Sequence, residues 1–243
     1  MSSETVLRQI LLVTDGCSNV GSDPVRAAKT GISRGISTSV IGIVDDGSLG
    51  EQGKREAYEI AEAGGGMCRI ISVADLSMTM QMVTRQTMQL TLQQVVNEEL
   101  RNLIGKPTDE LAPDVRTKVA AMVDTMAEES ELHMALVIDV SASMASKMAS
   151  VREAVRDMEF GLKARSGRYH LYVFTYPSAY SMSADEHVLE DQSGSIADIL
   201  AHIRPAGNTP TGPALLAAID RLLASFVERG KEDAGGHMRD YVV

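Results

Sequence analysis

The sequence predicts an α/β fold, a Rossmann-like three-layer sandwich about a mostly parallel sheet. Three observations carry that reading. Apolar runs of strand length recur at 10–14, 38–46 and 68–73, helical patterns separate them, and the same alternation resumes at 132. Several of these runs are apolar without interruption, as strands covered on both faces are.

Taken in order, "RQILLVTDG" is a buried strand that closes at residue 14 and runs into Asp15–Gly16. In "SDPVRAAKTGISRG" Asp23 is the N-cap, Pro24 suits the first turn, and Gly31 or Gly35 ends the helix. "TSVIGIVDD" (38–46) is a second strand, a helix around 51–63 stops at Gly64–Gly65–Gly66, and "CRIISV" (68–73) is a third strand. Such βα repeats imply right-handed crossovers.

The middle of the chain changes character. Leu92, Val96, Leu100 and Leu103 recur at helical spacing, as do Leu111, Val115, Val119, Met122 and Met126. They mark two amphipathic helices joined by "GKPTDELAP". The methionines at 78, 80, 82 and 88 read as core or connector packing. "LHMALVID" (132–139) is then a strand, and Met148, Val151, Val155, Met158 and Leu162 share one helical face. "YHLYVFTY" (169–176) and a weaker run near 186–190 read as a hairpin edge. Leu215, Ile219, Leu222 and Phe226 mark the last helix, and "GKEDAGGHMRDYVV" is a loose tail by composition.

At 243 residues the chain has room for one large domain, or one domain with an appended subdomain, and 44% hydrophobic residues suffice for a well-filled core. A net charge of −10, with no basic stripe interleaved with aromatics, argues against nucleic acid as a partner. No apolar run approaches the roughly 20 residues that span a bilayer. "MSSETVLRQ" lacks the basic-then-apolar plan of a secretory signal, so no membrane role and a cytoplasmic location are expected. The two cysteines, Cys17 and Cys68, form no disulfide framework and are expected reduced. The five histidines at 133, 170, 187, 202 and 237 lie far apart without ligand spacing and read as core-edge or surface residues.

Two strands end in an acid followed by small polar residues, "LLVTDG" at Asp15 and "LVIDVSASM" at Asp139. Asp139, Ser141 and Ser143 alternate, and alternate residues of an extended segment project to one side. One carboxylate and two hydroxyls form a hard-oxygen set, suited to Mg²⁺ or Mn²⁺ rather than zinc. A third loop, "AGNTPTGPAL", sets Thr209 just before a helix, with Thr211 as its alternate.

Asp-x-Ser-x-Ser after an apolar strand, Thr in a Gly-x-Thr loop, and a strand-end "TDG" together resemble the von Willebrand factor A domain. The resemblance implies a metal-ion-dependent adhesion site made of Asp139, Ser141, Ser143, Thr209 and Asp15. It also implies a sheet ordered 3-2-1-4-5-6 with one antiparallel edge strand. In that family the "TDG" strand comes fourth; here it opens the chain, so the domain looks circularly permuted, similar to a permuted bacterial subgroup. The implied organisation is 1–87 as the second half, 88–131 as a helical connector, 132–228 as the first half with the metal loop, and 229–243 as a flexible tail.

The resemblance further implies a non-catalytic protein-binding module in which a partner's Asp or Glu completes the Mg²⁺ shell. Other functions weighed are a regulatory or adaptor subunit of an AAA-type ATPase or metal-chelatase-like complex, and a Mg²⁺-dependent phosphatase. Exchange of halves through 88–131 would give a domain-swapped homodimer. Capping of the helix after Asp139 would employ the same residues, yet it leaves Asp15 and Thr209 without a role. "GNTPTGPA" has P-loop glycine spacing but carries Pro213 where the phosphate-binding Lys belongs. Cys17 beside the site has no histidine positioned by sequence to activate it.

Overall fold

A computed structural model describes residues 6–44, 50–178, 184–187 and 195–239, with side chains through Ser225. Six strands form one sheet: β1 (Val6–Thr14), β2 (Ser37–Val44), β3 (Gly65–Ser72), β4 (Glu131–Asp139), β5 (Tyr169–Tyr176) and β6 (Asp185–His187). Their spatial order is β3-β2-β1-β4-β5-β6, parallel throughout except for the antiparallel β5–β6 pair at the edge. That is the order the resemblance implies.

The helices are α1 (Pro24–Ile32), α2 (Glu51–Ala63), α3 (Leu76–Ile104), α4 (Pro113–Glu129), α5 (Met148–Ala164), α6 (Ile196–Ala201) and α7 (Thr211–Arg239). Strand alternation sorts the core into two layers. On one face Leu132, Met134, Leu136 and Ile138 of β4 meet α3, α5 and the end of α4. On the other, Ala135 and Val137 meet α1, α2 and α7. Both faces of β4 are therefore covered, which explains its unbroken apolar run.

Local signals place the boundaries. Asp23 caps α1 by accepting from the Val25 and Arg26 amides, and Pro24 opens the helix. The end falls at Ile32, and Gly35 makes the following turn at φ +74°. β3 begins at Gly65, three residues before the apolar run predicts. A Cβ on Gly66 would lie 2.2 Å from the Thr38 carbonyl oxygen, so the glycines serve the close approach of β3 to β2. Residues 45–46 and 188–190, assigned to strands by sequence, lie outside the described residues.

The connection from β3 to β4 must travel from one edge of the sheet to its centre, and α3 supplies the span. At 1.5 Å per residue its 29 residues reach about 43 Å. α3 is continuous across residues 87–88, where the sequence divides the domain from the connector. Its first half buries Leu76, Met80, Val83, Met88 and Leu92; Met78 and Met82 face solvent, so only half of that methionine group is core. Beyond Val96 the α3–α4 hairpin buries little besides Val123 and Ala127. Where composition predicts a loose tail from 230, α7 continues as helix to Arg239; Phe226 lies beyond the described side chains.

Candidate metal centre

β1 and β4 are the central pair, and their connections leave in opposite directions: β1 leads to β2, β4 to β5. Loops that diverge in this way open a crevice beyond the carboxyl ends of the strands, the usual ligand position in such sheets. The β1–β4 register runs from Val6 opposite Glu131 to Val13 opposite Ile138. One step further puts Thr14 beside Asp139, and their side chains meet: Thr14 Oγ1 donates to Asp139 Oδ2 at 2.7 Å.

Asp139 is fully buried, and its Oδ1 accepts the Ser141 amide at 2.8 Å. Ser141 Oγ lies 3.2 Å from Ser143 Oγ. Ser143 Oγ then donates to Asp15 Oδ1 at 2.7 Å, across 128 residues of sequence. The structure thus brings Asp15, Asp139, Ser141 and Ser143 into one continuous group. Thr209 is tied in through its backbone: its amide donates to Asn19 Oδ1 at 2.8 Å, and its carbonyl accepts from the Asn19 amide and Ser18 Oγ. The same loop bonds to the Asp139 segment, with the Ala206 amide donating to the Val140 carbonyl at 2.9 Å. Gly212 lets α7 start against this cluster, since a Cβ there would meet the Ser22 carbonyl oxygen at 1.9 Å.

Burial pushes the Asp139 carboxyl up to about 6; the Asp15 charge adds to that, while bonds from Ser141 and Thr14 oppose it. Lys147 neutralises the other acid of the group: its Nζ lies 2.9 Å from Asp15 Oδ2 and 3.1 Å from the Ser143 carbonyl. Lys147 and Thr14 escaped sequence reasoning. The i+4 spacing from Ser143 to Lys147 is the only trace the sequence carries of the lysine.

The donor set fits a hard divalent cation. It offers carboxylate and hydroxyl oxygens and no sulfur or nitrogen, and two acids balance a dication. Two further buried hydroxyls, those of Tyr176 and Thr211, lie within reach of each other and, for Tyr176, of Thr14, without a well-formed hydrogen bond. Tyr176 is the β5 neighbour of Asp139, and burial and the Asp139 charge raise its hydroxyl well above its usual range. Thr211, the alternate in the sequence, opens α7 and is itself buried. Cys17 and Cys68 are free thiols whose pKa values burial raises, which makes them poor nucleophiles.

A second group lies at the opposite end of β4, and it corrects the reading of the histidines as isolated. Strand pairing sets His133 directly beside His170, and Glu131 lies two residues from His133 on the same face. Glu131 Oε1 is 2.8 Å from His133 Nε2 and 3.4 Å from His170 Nε2, and the three side chains together could hold a metal ion. Glu-x-His at a strand start is the local sign. Its partnership with His170 depends on register, which spacing along the chain does not reveal.

Fold and strand-end loops define a doubly wound α/β domain with an oxygen-lined crevice at the point where its sheet changes direction. The chain belongs to the family of the Bacillus subtilis (strain 168) protein YabS, with which it is 38% identical over 216 residues, 87% of each chain. A crystal structure of an uncharacterized protein from Alicyclobacillus acidocaldarius subsp. acidocaldarius DSM 446 is 47% identical. It matches with a TM-score of 0.83 over 92% of this chain and 96% of that one. Proximal thread matrix protein 1 from the mussel byssus, 17% identical, reaches a TM-score of 0.25 over 84% of this chain and 44% of that one, too low to carry an argument. No family model matches the sequence. Among the described residues no helix is long and apolar enough to cross a membrane.

Proposed function

We propose that the protein is a non-catalytic, Mg²⁺-dependent (or Mn²⁺-dependent) protein-binding module, a circularly permuted domain of von Willebrand factor A type. The observation that carries the reading is the bond from Ser143 to Asp15, which unites the Asp-x-Ser-x-Ser and "TDG" segments beside buried Asp139. Asp139, Ser141, Ser143, Thr209 and Asp15 would hold the ion, directly or through water. The bound ion supplies a Lewis-acidic position for one more oxygen ligand.

Charge permits an anionic ligand there. Two carboxylates neutralise a dication, so the loaded site does not repel one more anionic oxygen, and the Lys147 ammonium lies 2.9 Å from Asp15. The von Willebrand factor A resemblance supplies the rest of the reading, in which the partner is a protein that offers an Asp or Glu side chain. The net charge of −10 opposes an acidic partner at long range, but salt screens that beyond about 8–10 Å, so local coordination decides.

Calorimetric titration of Mg²⁺ against the wild type and Asp139→Ala tests the site, and equal affinity in both removes it. Affinity capture with Mg²⁺, repeated with chelator, tests the module. A partner that is released by chelator and returns with Mg²⁺ is expected; retention in chelator contradicts the reading.

A further inference from the structure

The second cluster asks for an explanation of its own. Glu131 and Asp139 open and close the same strand, eight residues apart, so roughly 26 Å separates this cluster from the oxygen site. Glu131 and His133 are almost wholly buried on the α7 face, whereas His170 is half exposed. The rings of His133 and His170 lie 4.5 Å apart, tilted by 32°.

The contacts of His133 fix the position of its ring. Ser225 Oγ, on α7, lies 2.9 Å from the Leu222 carbonyl and 3.2 Å from His133 Nδ1. Without a metal, His133 Nε2–H donates to Glu131 Oε1 at 2.8 Å, and His170 Nε2 lies 3.4 Å from the same oxygen. Three potential ligand atoms thus converge on one point, where a metal ion would replace the protons. Burial disfavours a second proton on His133, lowering its pKa, with His170 and Arg8 adding to that and Glu131 opposing it.

We propose that Glu131, His133 and His170 form a Zn²⁺ site, with one carboxylate oxygen and two imidazole Nε2 atoms as ligands. Two histidines and a glutamate are a ligand set zinc takes in three-residue sites that keep a fourth position open. Tetrahedral bonds of about 2.0–2.1 Å place ligand atoms roughly 3.3 Å apart. Here Oε1 lies 2.8 and 3.4 Å from the two nitrogens, and all three atoms fall within 4.8 Å of one another. Ser225 acts as the outer partner that orients His133, as groups behind zinc-bound histidines do. Arg168 occupies Glu131 Oε2 at 3.1 Å, so Glu131 binds through one oxygen. Arg168 and Arg8, the β1 neighbour of His133, reduce affinity for a cation by their charge. The open position faces solvent on the His170 side, and the ion fastens the leading ends of β4 and β5 beneath α7.

The test is calorimetric titration with Zn²⁺ alone on the full chain carrying Asp139→Asn, which disables the oxygen site so that only the second one reports. One equivalent is expected. Adding His170→Ala to that background should weaken binding tenfold or more. His170 is half exposed, and urea unfolding without metal verifies that the variant remains folded. Absence of Zn²⁺ binding in the Asp139→Asn protein, or a loss under tenfold with His170→Ala, overturns the proposal. The result is independent of Mg²⁺ binding at Asp139.

Discussion

Asp139 concentrates the physics of the proposed site. Its carboxyl, fully buried, titrates near 6 instead of 3.8. A folded-state value above the unfolded one contributes stability in full below about pH 4, and that contribution disappears as pH rises through 6. Only the ionised form serves a cation, so the stabilisation added by Mg²⁺ grows across the same window. Thermal unfolding should show a larger Mg²⁺-induced rise in Tm at pH 7 than at pH 5; equal rises would detach Asp139 from the metal. Lys147 competes for the same charge. Lys147→Met, which keeps bulk and removes the ammonium beside Asp15, should tighten Mg²⁺ binding about tenfold by calorimetry. Unchanged or weaker binding would show that the lysine is neutral to the site or supports it. Asp15, Asp139 and the serines were legible because each sits at a strand end in a short recognisable pattern. Lys147, Thr14 and the His133–His170 pair were not, since they meet through a helical turn or a strand register.

At the scale of elements, α3 divides into two parts with different energetic roles. Leu92 is fully buried in the sheet-facing half, while Leu103 is 76% exposed near the tip of the hairpin. Leu92→Ala should cost about 2–5 kcal/mol in urea unfolding. Leu103→Ala should stay within about 0.5 kcal/mol, as exposed substitutions do. Similar costs at both positions would mean that the hairpin tip is covered in solution. The two helices and their loop were readable from apolar spacing. That α3 starts at Leu76 and covers the sheet was not, because its first turns carry Thr, Gln and Met on both sides and lack a sharp apolar stripe. β3 was shortened for a related reason: its leading glycines announce a turn, whereas the structure needs them for close strand approach.

The molecule as a whole explains why strand order leaves the proposed permutation open. Exchanging the halves of a 3-2-1-4-5-6 sheet yields 6-5-4-1-2-3, the same sheet read from its other edge. The observed order therefore fits both arrangements, and the placement of motifs carries the permuted reading: the "TDG" strand is β1 and the Asp-x-Ser-x-Ser strand is β4. Either way the two lie side by side at the centre, and an early strand in sequence becomes a middle one in space. The central claim is that one cation joins these segments. Anomalous diffraction from crystals soaked in Mn²⁺ tests it most directly. The account predicts a peak shared by Asp139, Ser141, Ser143, Thr209 and Asp15; saturating Mn²⁺ with no peak in that crevice would contradict it.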